Sequence, residues 1–155
     1  MILPLTLEHT LRVALVMRAE DRREIFATRH RDDAAELARL AVALSRFGAI
    51  AATALDRPVA ALGAIEAWPG VFQVWMFATD DWPKVALEAT RWCCRVLRPA
   101  MLAAGGHRAE CASLDGHRQA QRWLERLGFR REATMPAFGR HGETFHRYVM
   151  TRETT

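Results

Sequence analysis

The side chains able to move protons or form bonds at a site are few in this chain. Glu66 closes an apolar stretch just before Ala67-Trp68-Pro69, and Glu110 alternates with Ala109 and Cys111. His117 opens a helical segment, and His146 lies in a strand-like run near the end of the chain. Carboxylates and imidazoles of this kind serve as general acids or bases when their surroundings tune them. Each also has a structural role to compete with that one: solvating a strand end for Glu66, pairing with Arg108 or Arg130 for Glu110, and capping a helix for His117. The three cysteines are Cys93, Cys94 and Cys111. Cys93 and Cys94 are adjacent on a helix and diverge, while His107 and Cys111 lack companions at metal-ligand spacing, so no metal centre is expected. No GxSxG elbow, phosphate-binding P-loop or dinucleotide glycine fingerprint occurs.

These residues must be positioned by the stretch from Val71 to Val96. It begins as an apolar segment (Val71, Phe72, Val74, Trp75, Met76, Phe77) suited to a buried strand. It breaks at Ala78-Thr79-Asp80-Asp81 and becomes a helix, with Asp80 or Asp81 as N-cap and Pro83 in the first turn. Val85, Ala89, Trp92, Cys93 and Val96 then recur at helical spacing. A strand feeding a helix through a short turn presents main-chain amides at the helix start, where phosphate is commonly held.

Around that unit the chain reads in order. Arg12–Met17 (RVALVM) has the composition of a first strand, and Ala19–Thr28 is a charged helix. Asp33 and Glu36 form a capping-box pattern for a second helix, with Leu37, Leu40, Ala41, Leu44 and Phe47 inward and Gly48 at its end. Ala49–Leu55 and Val59–Trp68 flank the Asp56-Arg57-Pro58 turn, and Pro69-Gly70 turns into the central strand. The helix after that strand kinks or stops near Arg98, because Pro99 follows. His107–Ala112 is a strand, and His117–Leu127 a helix with Ala120, Trp123, Leu124 and Leu127 inward, closed by Gly128 and Phe129. Two strands follow, near Arg130–Thr134 and Thr144–Met150. The expected class is α/β, a mixed and mainly antiparallel sheet flanked by about four helices in a single domain over residues 1–155.

Composition narrows the function classes. The net charge is +4 with Lys84 the only lysine. The arginines are spread along the chain and interleaved with acids, as in Arg18–Glu24, which describes a solvated mixed surface and makes nucleic acid an unlikely partner. No apolar run approaches the roughly 18 residues of a membrane span. Met1–Leu7 lacks the basic start and small-residue cleavage site of a signal peptide. An odd cysteine count with two adjacent members suits a reducing compartment, so cytoplasm is expected.

The element order from Arg12 to Met150 and the run Trp123-Leu124-Glu125-Arg126-Leu127-Gly128-Phe129 resemble the GNAT (N-acetyltransferase) superfamily. Trp68–Pro83, Glu110–Phe129 and Phe138–Tyr148 are also similar to small acetyltransferase-like proteins of tailed bacteriophages, some of them internal virion proteins. The resemblance implies acyl transfer from acetyl-CoA to an amine on a small molecule or protein. It places the pantetheine-facing strand end at Met76, Phe77, Ala78 and Thr79, and the pyrophosphate loop at Asp80–Val85, with Trp82, Lys84 and Val85 as contacts. It makes Glu66, Glu110 and His117 the candidates for taking the amine's proton.

Two departures from the family pattern stand out. Asp80-Asp81-Trp82-Pro83-Lys84 has no glycine and sets two carboxylates where a diphosphate would arrive, and the position of the usual general-acid tyrosine is Leu124. They support an alternative: a GNAT-like scaffold without catalysis, acting by contact with a phage or host protein, in host cytoplasm or a virion. The Pro136–Gly142 loop and the tryptophans would then form the contact surface.

Overall fold

Thr6 starts a helix where a strand had been expected. In the computed structural model, which describes residues 1–152, Thr6 Oγ1 accepts the His9 N–H and begins α1 (Leu7–Leu15). The buried stripe Thr10, Val13, Ala14 and Met17 has helical spacing, while Leu15 and Val16 face solvent. The β-branched composition of Arg12–Met17 therefore misleads, and the first strand is β1 (Ile2–Pro4) at the sheet edge.

The charged helix is α2 (Ala19–Phe26), and α3 (Ala34–Leu44) begins at Asp33, whose carboxylate accepts the Glu36 N–H at 2.9 Å. Ser45, not Gly48, ends α3. Gly48 belongs to β2 (Phe47–Ala52), and a Cβ there would meet Leu5 Cδ2 at 2.6 Å, so the glycine serves a close approach between layers. β3 (Pro58–Trp68) and β4 (Val71–Ala78) follow as a long antiparallel pair. Gly70 turns between them with φ +84°, and the His107 ring fills the space where a side chain would stand.

Beyond β4 a single 3₁₀ turn (Trp82–Lys84) leads into α4 (Ala86–Trp92). A π turn over Cys93–Leu97 then joins α4 to α5 (Arg98–Ala103). The wide turn precedes Pro99, which has no N–H to continue the helical ladder, as the sequence led one to expect. β5 (Arg108–Leu114), α6 (Arg118–Arg126), β6 (Arg130–Met135) and β7 (Phe145–Thr151) complete the order. α6 ends in a Schellman pair, Phe129 N–H to Leu124 O and Gly128 N–H to Glu125 O, both 3.0 Å, with Gly128 at φ +97°.

Among the described residues seven strands form one sheet in the order β1-β2-β3-β4-β5-β7-β6, parallel only between β4 and β5. One face packs on α4, α5 and α6 through Leu62, Phe72, Trp82, Val85, Leu97 and Leu124. The other packs on α1, α2 and α3 through Val13, Phe26, Leu37, Ile50 and Phe77. Five helical rods thus cover the sheet where about four were expected, the extra one being α1.

Candidate active site

β4 and β5 pair only over Val71–Gln73 with Arg108–Glu110 and then separate. The antiparallel register of β3 with β4 directs the main-chain groups of Gln73, Trp75 and Phe77 toward β3, as the Thr79 N–H to Val59 O bond of 2.8 Å confirms for the next position in the series. Those of Val74 and Met76 therefore face β5; the Val74 N–H closes the last bridge, to Glu110 O, and the Val74 carbonyl and both groups of Met76 face the opening beyond it. A strand in the middle of a sheet seldom leaves such groups unpaired, and here they border a cavity of about 460 Å³.

The cavity crosses the sheet through this opening. On the α4–α6 side its walls include Val74, Met76, Leu97, Met101, Trp123 and Leu124. On the α2–α3 side they include Ile25, Leu37, Leu40, Trp75, Phe77 and Phe138. Phe138 comes from the β6–β7 loop, packs on Phe145 with ring centroids 5.3 Å apart, and is held over α2 and α3 by Arg140, whose N–H donates to Ala27 O at 2.7 Å and whose guanidinium pairs with Asp32.

Three carboxylates line the cavity, Asp21, Glu24 and Glu110, with distinct surroundings. Glu110 Oε2 accepts from Arg108 Nε at 2.6 Å and Oε1 from Arg147 at 2.9 Å, and the residue is buried. Glu24, on α2, has no cation on it. Its Oε2 accepts the Ser113 hydroxyl at 3.0 Å and the Leu114 N–H at 2.8 Å. Burial raises the Glu24 pKa above the ordinary carboxylate value, opposed by nearby His117 and by those two hydrogen bonds. Cys111, on the same cavity, has its thiol pushed up to about 12 by burial and by the charges of Glu24 and Glu110, and Cys93 is likewise pushed up to about 12 by burial. Neither thiol is an activated nucleophile.

The opening narrows at the end of β4, where a buried network closes it. Asp21 Oδ2 accepts the Ala78 N–H at 2.8 Å, and its Oδ1 lies 2.8 Å from His117 Nε2. Arg18 Nε is 2.9 Å from the same oxygen, an ion pair whose angle falls short of an aligned hydrogen bond. Arg18 also donates from its main chain to Ala78 O at 2.9 Å and from its guanidinium to Gln119.

Among the residues singled out from sequence, the fold brings Glu110, Met76 and Phe77 to the cavity. Glu66 is elsewhere, on β3 beside Arg46, with which it pairs. His117 does not line the cavity and is committed to Asp21. Ala78 has both main-chain groups bonded to Asp21 and Arg18. Thr79 Oγ1 accepts the Asp81 N–H at 3.3 Å, so Asp81 caps nothing and instead binds Lys84 at 2.7 Å. The Trp82, Lys84 and Val85 amides are bonded within the 3₁₀ turn. Trp82 is buried edge-on against Trp123 at 5.1 Å, and Val85 is buried too, so Trp82 is not an exposed contact residue. Glu24 was missed. Its signal was there, since Asp21, Glu24 and Ile25 share one stripe of α2, but the surrounding charges read as a solvated face.

No protein-family model matches the sequence, and no curated protein matches it. The fold does have solved counterparts. A GNAT-family acetyltransferase from Bacillus anthracis aligns with 99% of this chain and 95% of its own at 12% identity, TM-score 0.67. Aminoglycoside 6'-acetyltransferase type Ii aligns over 97% and 96% at 16% identity, TM-score 0.71. The yncA protein of Salmonella typhimurium, solved with its cofactor acetyl-CoA, aligns over 63% and 61% at 13% identity, TM-score 0.54. The architecture is that of the GNAT acetyltransferases. Nothing in these neighbours supports the bacteriophage relationship.

Proposed function

We propose that the chain is an N-acyltransferase that joins an acyl group from acetyl-CoA to an amine within the β4–β5 opening. The observation that carries this reading is Met76, whose main-chain groups, with the Val74 carbonyl, lie beyond the last β4–β5 bridge and face a cavity that crosses the sheet.

The residues present suit acetyl-CoA unevenly. The Val74 carbonyl and the main-chain groups of Met76 can hydrogen-bond an amide-bearing arm as a neighbouring strand would, and the apolar walls of the α4–α6 side suit its alkyl parts. The diphosphate end is poorer, because the turn's amides are already spent and Lys84 is held by Asp81. Lys84, the Thr79 hydroxyl and the main-chain amides that open α4 are left to meet it, against the charges of Asp80 and Asp81, so binding is salt-sensitive. When bound, acetyl-CoA supplies a thioester-activated acyl group. On the opposite side, Glu24 takes the proton from the entering ammonium, its raised pKa matching it to that task. Glu110, tied to Arg108 and Arg147, holds the β5 wall in place. The Phe138 loop keeps water away. His117 positions Asp21 and the strand end instead of meeting substrate.

A second reading has one specific observation behind it. Both main-chain groups of Ala78 are occupied by Asp21 and Arg18, which shortens the strand edge available to a ligand. In that reading the fold is retained for contact with another protein. A thermal melt with and without excess acetyl-CoA, with calorimetric titration, separates the two. Ligand at about 100 times its dissociation constant adds roughly 2.7 kcal/mol, or about 5–10 °C here. A flat melt with no heat of binding retires the enzyme.

A further inference from the structure

We infer that the acceptor is a small apolar primary amine carrying one positive charge, seated between α2, α3 and the sheet with its nitrogen at Glu24. The inference rests on the acyl-transfer reading and narrows it to a substrate class. Three features of the α2–α3 half of the cavity support it. Its walls are mainly Ile25, Leu37, Leu40, Trp75, Phe77 and Phe138, and the hydroxyls among them, Thr28 and Ser113, already donate to Ile25 O and Glu24, so the surface offered to a sugar or polyamine is chiefly apolar and aromatic.

The charge count is also specific. Glu110 is matched by Arg108 and Arg147, and Asp21 by Arg18 and His117. Glu24 is the cavity carboxylate without a cation, and its Oε1 makes no hydrogen bond among the described residues. The cavity therefore offers one negative site for one ammonium. A second cation would be desolvated against Leu37 and Leu40 without a partner.

The rim disfavours polycations further. Arg29 lines the cavity and forms, with His30, Arg31, Glu36 and Leu40, an adjoining hollow whose one carboxylate, Glu36, lies 3.8 Å from Arg31 and leaves a cation in excess. No carboxylate hydrogen-bonds the Arg29 guanidinium among the described residues, so a lysine-rich peptide or aminoglycoside meets like charge on entry. Within the site Glu24 removes the first ammonium proton. The nitrogen lone pair then forms the C–N bond as the C–S bond breaks, and the nitrogen's second proton goes to the departing sulfur. The products are an amide and the free thiol of CoA.

The test uses the full chain, acetyl-CoA, and four acceptors: phenylethylamine, tryptamine, spermidine and a lysine-rich peptide, with products counted by mass spectrometry. Acetyl-CoA binding is measured separately by calorimetry. The expected result is a kcat/KM for the two monoamines roughly 10-fold or more above that for either polycation. Leu40→Glu, at a partly exposed wall position, narrows that ratio and leaves acetyl-CoA binding unchanged. Preference for spermidine or the peptide overturns the acceptor assignment while acyl transfer stands. So does binding of acetyl-CoA with no turnover of either monoamine. Absence of acetyl-CoA binding removes the acyl-transfer reading and this inference with it.

Discussion

Asp21 on α2 accepts the main-chain N–H of Ala78, the last residue of the central strand, at 2.8 Å. One carboxylate thereby ties the helical layer to the point where the sheet opens, and it does so beside Arg18 and His117, all three buried. Asp21→Ala leaves a buried guanidinium and a strand amide without partners. Its expected cost is about 3–5 kcal/mol of unfolding free energy, read from urea midpoints. Asp21→Asn, which keeps a carbonyl acceptor, loses less. A change within the roughly 0.5 kcal/mol scatter of surface substitutions would contradict this role.

Glu24→Gln is expected to lower acyl-transfer kcat by about 10²–10⁴ with the calorimetric signature of acetyl-CoA unchanged. The acid limb of the wild-type pH profile should lie above the ordinary carboxylate value of 4.5, since burial raises this group. A Glu24→Gln variant with wild-type turnover would assign the proton transfer elsewhere.

The same residue sets a stability trend of definite sign. Its pKa is raised in the folded state, so above the ordinary value of 4.5 the folded chain holds more of this proton than the unfolded chain does. Stability from this group is complete below that value and declines as pH rises through the folded pKa. Glu24→Gln should therefore melt higher than wild type at neutral pH, the gain fading as pH falls through the folded pKa and gone below 4.5. Paired melts across pH check it.

Glu66→Gln provides the contrast. Glu66 pairs with Arg46 outside the cavity, at a partly exposed site. Turnover should stay within about two-fold, and stability within about 1 kcal/mol, as for exposed ion pairs generally. A large loss of kcat on this variant would return Glu66 to the catalytic set.

Asp81→Asn frees Lys84 from its 2.7 Å partner and removes a negative charge from the turn after β4. Acetyl-CoA is expected to bind about five-fold more tightly at low salt, with the difference shrinking as salt rises. Equal affinities for both proteins would place the diphosphate away from this turn.

Much of the architecture was legible because its determinants are local. The Asp33 cap, the Pro69-Gly70 turn, the π turn ahead of Pro99 and the Gly128-Phe129 ending all act within a few residues, whereas the turn expected at Asp56-Arg57-Pro58 lies earlier, over Thr53–Arg57, with β2 ending at Ala52 and Pro58 opening β3. The misreadings were also local. Arg12–Met17 had strand composition but helical burial, and Gly48 looked like a helix stop although it makes room for Leu5. Both errors arise where packing partners distant in sequence decide between two locally acceptable conformations.

From α2 onward the order of strands and helices was determined by periodicity and turn chemistry in the sequence itself. The site was decided by tertiary structure. Glu24 and Ser113 are 89 positions apart, and Asp21 and His117 96 apart, yet each pair is in hydrogen-bond contact. Pairings of this kind arise only when β4 and β5 part and α2 crosses the gap. Residue type says that a carboxylate can be a base; only the folded surroundings say which carboxylate is left without a cation, and which, like Glu110 and Asp21, are already satisfied.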